Sequence, residues 1–412
     1  MSRRSQREGD SQSISSGMYR LYALTFLFFS VNAFTQVVLP LYGKSIGLDN
    51  RTIGVLLGAY LLVSMLLRPW AGAVVERVGV RRMLQWILLC HLLVVLLYAW
   101  LDQTAYGLIL IRGLQGAIAA FFSLTLQIAV VDTLPERERA QGLSLYLLFG
   151  MLPSVMGPAV ALWIWEHAGF RGFMMSLLLA AVITWLTGLT SRLPIGSNSH
   201  RLPSQRHENK LPSERKMHAL RRAIVNRSFI MSSVVMTMAA TGFGATTAFL
   251  ALYVDYTRVG HAGVYFAIQS GVIVLVRFAF RKLLPSDGIW HSRSIAVLLG
   301  SMAIGLLCTV MAPWTGKSIV LYMGAVTIGF GMAHIYPILA AYLSIALEQT
   351  TRKIWMGLFI SMADLGAVIG SIGMGLVADY TGYAYVFVIC AGMLACTGLL
   401  VAASNGFMKK SV

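Results

Sequence analysis

Apolar residues run along this chain in long blocks. They do not alternate as in a half-buried strand, nor do they form the one-sided stripe of a soluble helix. A helix that crosses a membrane needs about 20 consecutive apolar residues. Blocks of that length fall at 19–41, 52–75, 82–101, 105–131, 141–165, 170–191, 228–254, 262–281, 293–313, 318–346, 354–378 and 384–407. Short polar turns separate them, except at 192–227, a basic segment containing prolines and His200, His207 and His218. The pattern predicts an all-α membrane protein of twelve transmembrane helices in two pseudo-symmetric six-helix bundles. Its parts are an N-terminal tail at 1–18, bundles at 19–191 and 228–407, a linker at 192–227 and a C-terminal tail at 408–412.

The two halves echo each other, as internal transporter repeats do. Arg137 precedes Gly142 as the fifth block opens, and Arg352 precedes Gly357 at the same spacing as the eleventh opens. Gly169-Phe170-Arg171 and Gly382-Tyr383-Ala384 follow those blocks at similar distances.

Composition agrees with the blocks: of 412 residues, 57% are hydrophobic and 12% charged, against about 25% charged in soluble domains. The formal charge of +17 would suggest nucleic acid in a soluble protein. Here its placement gives it another meaning. Lys44, Arg51, Arg171, Arg258 and Lys317 fall at one set of block ends, Arg112 falls inside a block, and the remaining basic residues gather at the other ends. That bias puts both termini and the linker in the cytoplasm of a multi-pass plasma-membrane protein. The basic character is topological, with some attraction to anionic lipid, and no nucleic-acid partner is expected. The first 17 residues are polar and the block after them is full length, so no cleavable signal is expected. Cys90, Cys308, Cys390 and Cys396 lie in apolar blocks without metal-site spacing, so neither a disulfide framework nor a metal site follows, and no cofactor is expected.

The chemistry-bearing residues are few. The turn after the second block reads Gly72, Glu76-Arg77, Gly79 and Arg81-Arg82. The glycines suit close approach and a tight turn, the arginines hold the turn on the cytoplasmic side, and Glu76 pairs with one of them or faces a helix N-terminus. Arg112 lies inside the fourth block with Gln115 one turn on. A charge there costs about 2.5–3.5 kcal/mol on insertion scales, so it faces a wet cavity or a partner, or bonds helix-end carbonyls. Asp132, ending that block, pairs with Arg77, Arg81 or Arg82 as a conformational latch or forms a simple surface ion pair. Asn32 and Gln36 share one face of the first block and either line a cavity or bond a neighbouring helix. Gly157-Pro158 loosens the fifth block for sliding or makes a packing kink. Arg277 approaches the end of the eighth block. Asp364 sits near the middle of the eleventh as a candidate proton carrier or a carboxylate permanently bonded to a neighbouring helix. His334, beside Tyr336 and Pro337, titrates, binds substrate or is a bonded core histidine. His91 reads as structural, and the methionines as core filling.

The Gly72–Arg82 turn resembles the helix 2 to helix 3 motif of the major facilitator superfamily, with Glu76 where an Asp is commoner. Arg112-Gly-Leu-Gln115-Gly116 resembles that superfamily's helix 4 motif, tied to proton coupling or substrate contact. Gly150 and Gly157-Pro158 resemble the helix 5 motif of its proton-coupled antiporters, with Ala161 where a Gly is expected. The Arg277 to His291 segment, with Arg68–Gly72, Ala120–Ser123 and Ala363–Gly366, is similar to the staphylopine-type opine metallophore exporters over nearly the whole chain. The resemblance implies export, driven by protons, of a small polycarboxylate, imidazole-containing chelator that scavenges zinc, nickel, cobalt or copper outside the cell. It leaves general drug–proton antiport as the alternative. The substrate-binding candidates are then Asn32, Gln36, Arg112, Gln115, Arg277, His334 and Tyr336, and the proton-coupling candidates Asp364, Arg112 and His334. The expected partners are the small-molecule substrate, protons and the lipid bilayer, with the chain acting as a monomer. Neither HExxH nor GxSxG occurs, and no filter-like element is visible, so an intramembrane enzyme or a channel is disfavoured.

Protease tags test the topology. Tags at Ser2, Asn209 and Val412 are expected to resist external protease in intact cells, and cleavage at Asn209 would overturn the two-half arrangement.

Overall fold

The computed structural model describes residues 2–101, 104–134, 139–190, 226–279, 289–347 and 352–403. The expected linker, apart from Asn226 and Arg227, lies outside them, as do the tail at 408–412 and residues 280–288. The described elements are α1 (Ser2–Ser45), α2 (Asn50–Val78), α3 (Val80–Leu101), α4 (Ala105–Thr133), α5 (Arg139–Thr190), α6 (Arg227–Thr257), α7 (Ala262–Ala279), α8 (Ser292–Thr315), α9 (Ser318–Ala346), α10 (Arg352–Val368), a π-helical turn (Ile369–Gly373), α11 (Met374–Thr381) and α12 (Tyr383–Ala403). Ten helical segments among these residues are long and apolar enough to cross a membrane. Leu110, Leu179, Leu275, Val297 and Leu399 are exposed on the helices. Such surface suits lipid, and hydrocarbon forces each backbone N–H to find its acceptor within its own helix.

Several expectations change. α1 starts at Ser2, so the polar head expected as a tail at 1–18 continues the first helix. The head contains no proline, and each residue added to a nucleated helix gains a hydrogen bond. The turn expected after the second block is a single residue, Gly79 (φ 86°), between α2 and α3. α5 and α9 run on through Gly157-Pro158 and Pro337. The interruption in α5 is instead Gly169, with φ 62° and ψ −164°, where two helices meet. Gly382, with φ 90° and ψ 168°, joins α11 to α12 at the matching place in the second half. Both conformations belong to glycine. The echo seen between the halves in sequence is therefore also an echo in backbone.

The chain divides into two compact units: Met1–Val38 with Leu62–Asn209, and Leu39–Leu61 with Lys210–Val412. In the first, Val31, Val95, Ala161, Phe173 and Leu177 share a buried core, and Phe28 stacks on Phe122 at 3.7 Å. In the second, α6 is the most enclosed of the membrane-length helices. Its Thr241 and Thr246 hydroxyls donate to carbonyls one turn back, both at 2.8 Å. Glycines set the spacing around it. A methyl at Gly366 would collide with the Thr237 carbonyl oxygen, one at Gly370 with the Thr241 carbonyl, and one at Gly244 would lie 2.7 Å from the Ala367 carbonyl.

This packing separates two glycines of the second unit. Gly366→Ala is expected to lower the melting temperature of the detergent-purified protein by the equivalent of about 1–3 kcal/mol, the usual cost of overpacking. Gly271→Ala, with nothing within 4 Å of the added carbon, is expected to leave it unchanged. Equal melting of both variants and the parent would refute close backbone packing of α10 on α6.

Candidate functional site: a buried guanidinium in the first unit

Thr104 caps α4, its hydroxyl accepting from the Gly107 amide at 3.2 Å. Two turns into that helix Arg112 is 1% exposed, the largest fully buried side chain described. A buried guanidinium needs acceptors, and α1 and α4 supply them. Arg112 Nη1 donates to Thr35 Oγ1 (2.9 Å), Asn32 Oδ1 (3.1 Å) and Gln115 Oε1 (3.1 Å). Thr35 is fully buried and itself donates to the Val31 or Asn32 carbonyl. Gln115 Oε1 also accepts from the Tyr98 hydroxyl of α3 at 2.9 Å.

The stoichiometry matters. Nη1 carries two hydrogens and faces three oxygens. Because Tyr98 can supply Gln115, Nη1 can serve Asn32 and Thr35 without leaving a buried acceptor bare. Through these bonds neutral oxygens orient the guanidinium. An oriented, dehydrated guanidinium recognises carboxylates well.

Of the sequence candidates, Asn32, Arg112 and Gln115 therefore come together. Gln36, one turn beyond Asn32, is half-buried and makes none of these bonds. Thr35 and Tyr98 were missed. Thr35 had a signal, lying at helical spacing from Asn32; Tyr98 had none beyond its place near the end of an apolar block.

The second unit holds the other set. Arg277, in the last turn of α7, is half-buried and close enough to Tyr336 of α9 for their charges to interact. The Tyr336 ring stacks on Phe359 at 6.0 Å. His334 Nδ1 lies 3.0 Å from the Phe330 carbonyl, one turn back in its own helix. Asp364 is half-buried in α10. His91, back in the first unit, is buried against Phe28, ring centroids 4.4 Å apart.

At the α2–α3 link, Arg77, Arg81 and Arg82 are exposed, as is Asp132 at the end of α4. Glu76 lies in the last turn of α2, and its side chain is outside the description. Gly72 has room to spare: an added carbon would meet only Leu124, at 3.6 Å. Gly157 is the close approach, its added carbon falling 2.8 Å from Ala33 of α1. Of the run from Pro285 to His291, only Ile289, Trp290 and His291 are described, with Trp290 packed on Tyr342 at 5.1 Å. Among the described residues no group of His, Cys, Asp and Glu side chains is arranged to hold a metal ion.

The many membrane-length helices mark a polytopic membrane protein. The chain belongs to the Major Facilitator Superfamily, which matches residues 21–353. It is 34% identical over 391 residues to the staphylopine export protein of Staphylococcus aureus, covering 95% of both chains. It is 25% identical over 370 residues to multidrug resistance protein 2 of Bacillus subtilis, covering 88% of each. Among solved structures it is similar to a mutant of the peptide transporter POT in complex with alafosfalin, with TM-score 0.77, 13% identity and coverage of 98% and 99%. It is also similar to a bacterial homologue of the human lysosomal transporter Spinster, inward-facing and occupied, with TM-score 0.75, 13% identity and coverage of 96% and 98%. At those identities the likeness shows the fold alone.

Tyr98→Phe removes one hydrogen bond and almost no volume. It is expected to cost about 1 kcal/mol of stability and to weaken transport severalfold. Arg112→Lys, which keeps the charge but cannot reach three acceptors as a planar fork, is expected to abolish transport while the protein still reaches the membrane. Transport by Arg112→Lys at the parental rate, at equal expression, would remove Arg112 from the site.

Proposed function

We propose that this chain is a secondary active exporter of a small, polar, staphylopine-like metallophore, working by proton antiport. The observation that carries this reading is the 34% identity, across 95% of both chains, to a staphylopine export protein. The site is chemically suited to such a substrate. Arg112 offers a buried, oriented cation for one carboxylate, and Arg277 beside Tyr336 offers a second. Gln115, Asn32, Gln36 and His334 are further polar contacts within this reading.

Asp364 is the proposed proton carrier, with His334 as its competitor and Arg112 as a coupling partner. Gly72, Glu76, Arg77, Gly79, Arg81, Arg82, Asp132, Gly157 and Pro158 govern switching and leave substrate choice to the buried site. Dividing the Leu145–Leu189 span at Gly169 and counting the shorter Ala262–Arg277 helix supports a twelve-helix, two-bundle arrangement of 19–191 and 228–407. Both termini and the 192–227 linker are cytoplasmic and the membrane is the plasma membrane. The working unit is a monomer, without nucleic acid, and it transports without catalysing a reaction. Multidrug–proton antiport is the second reading, favoured by the 25% identity to a multidrug resistance protein.

Reconstitution in liposomes tests both readings. Under an imposed pH difference the protein is expected to accumulate a staphylopine-type opine and not a lipophilic cationic dye; the reverse preference selects the drug reading. Asp364→Asn, a fixed mimic of the protonated acid, is expected to lose uphill accumulation while keeping exchange down a gradient, with His334→Gln measured beside it. Uphill accumulation by Asp364→Asn would exclude Asp364 as the coupling site.

A further inference from the structure

One face of α9 is left uncovered by the described residues. Ile319, Met323, Val326, Phe330 and Ile345 are exposed, and His334, Pro337 and Ala341 among them are half-buried. Their spacing of three and four residues puts them on a single stripe along the helix. α8 has such a stripe too, with Val297, Ile304, Leu307 and Met311 exposed. That one is wholly apolar, as suits a surface against lipid. The stripe of α9 differs by one residue. An imidazole in mid-helix is costly in hydrocarbon, and ionisable side chains at that depth face water or a polar partner. His334 therefore marks the stripe of α9 as a wetted face.

The role of each ring nitrogen follows from the helix. His334 Nδ1 lies 3.0 Å from the Phe330 carbonyl oxygen. A carbonyl has no hydrogen to give, so Nδ1 donates, and in the neutral ring Nε2 is left as an acceptor. The Phe330 ring stands beside the imidazole, centroids 4.7 Å apart and planes tilted by 57°. Tyr336, two residues on, leaves the helix on another side, where it stacks on Phe359. A fixed nitrogen lone pair next to an aromatic ring is complementary to a protonated amine. The ammonium N–H donates to Nε2 in a charge-assisted bond, and the cation is attracted to the ring.

We propose that His334, flanked by Phe330, is an amine subsite on α9, in which Nε2 accepts an N–H from the protonated nitrogen of the solute. The assignment rests on the export reading, and it gives His334 the task of recognising the solute, leaving the coupled proton to another group. With Arg277 this provides the second unit with a group for each sign of charge.

The first test needs no transported molecule. In protein lacking its four native cysteines and held in lipid nanodiscs, the His334→Cys thiol is expected to react with a water-soluble maleimide at least about tenfold faster than the Ile304→Cys thiol on α8, because the reactive thiolate forms only in contact with water. Equal rates would put the stripe of α9 in lipid and overturn the subsite, whatever the protein exports. The second test compares two substitutions in liposomes. Gln carries an amide oxygen at about the reach of Nε2 and does not titrate, whereas Leu offers no acceptor. His334→Leu is expected to raise the KM for the opine at least about tenfold, the worth of a charge-assisted hydrogen bond, with kcat changed less. His334→Gln is expected to keep KM within about threefold and to keep uphill accumulation. An unchanged KM in His334→Leu, or an equal rise in both variants, overturns the subsite; loss of uphill accumulation in His334→Gln makes His334 the proton carrier instead. If the parent carries no opine, the export reading falls separately, and binding of benzylammonium against benzyltrimethylammonium, a cation with the same ring and no N–H, decides. The parent is then expected to prefer benzylammonium and His334→Leu to lose that preference. Equal binding of the two cations by the parent overturns the subsite.

Discussion

A backbone amide in hydrocarbon has no water to turn to, and the structure is built around that fact. It makes the described apolar blocks helical, and glycines take several of the turns between them. Gly79, Gly169 and Gly382 take the turns with positive φ. It also governs the small hydroxyls, so that Thr25, Thr184 and Thr397 each donate to a carbonyl one turn back. Once a helix has met its own hydrogen-bonding needs, its association rests on shape. In the second unit Gly366, Gly370 and Gly244 let α6 and the α10 rod come into backbone contact.

The same solvent makes a buried charge conspicuous. Inside its apolar helix Arg112 gives its hydrogens to Asn32, Thr35 and Gln115. Tyr98 then relieves the resulting shortage of donors at Gln115. The arrangement is rigid where it must be, in the direction of the guanidinium, and adaptable in which acceptor is served. The likeness to an exporter of staphylopine and the likeness to a multidrug resistance protein both sit on this architecture. Which molecule is carried depends on the groups that meet it.

A second polar contact draws on a different resource. The buried site relies on side-chain acceptors for a cation, whereas the contact at the start of α2 relies on backbone donors for an anion, Asp379. The first is shielded and the second lies at an aqueous edge.

Sequence alone determined what depends on solvent. Block lengths pointed to the membrane helices, and the rarity of charge in lipid singled out Arg112, with Gln115 one turn on. The paired echoes around Gly169 and Gly382 were also legible, because turns of that kind admit few residues but glycine. Tertiary structure decided what depends on neighbours distant in sequence. Tyr98 is inconspicuous until α3 brings it to Gln115. Gly72 looked like the close contact and is not, whereas Gly157 is, because only Gly157 faces another helix at short range. Asp379 and Asn50 stand 329 residues apart, and no periodicity within one helix encodes which end of another will dock against it. Local pattern reports how a segment meets its solvent; which segments meet each other is settled only when the helices pack.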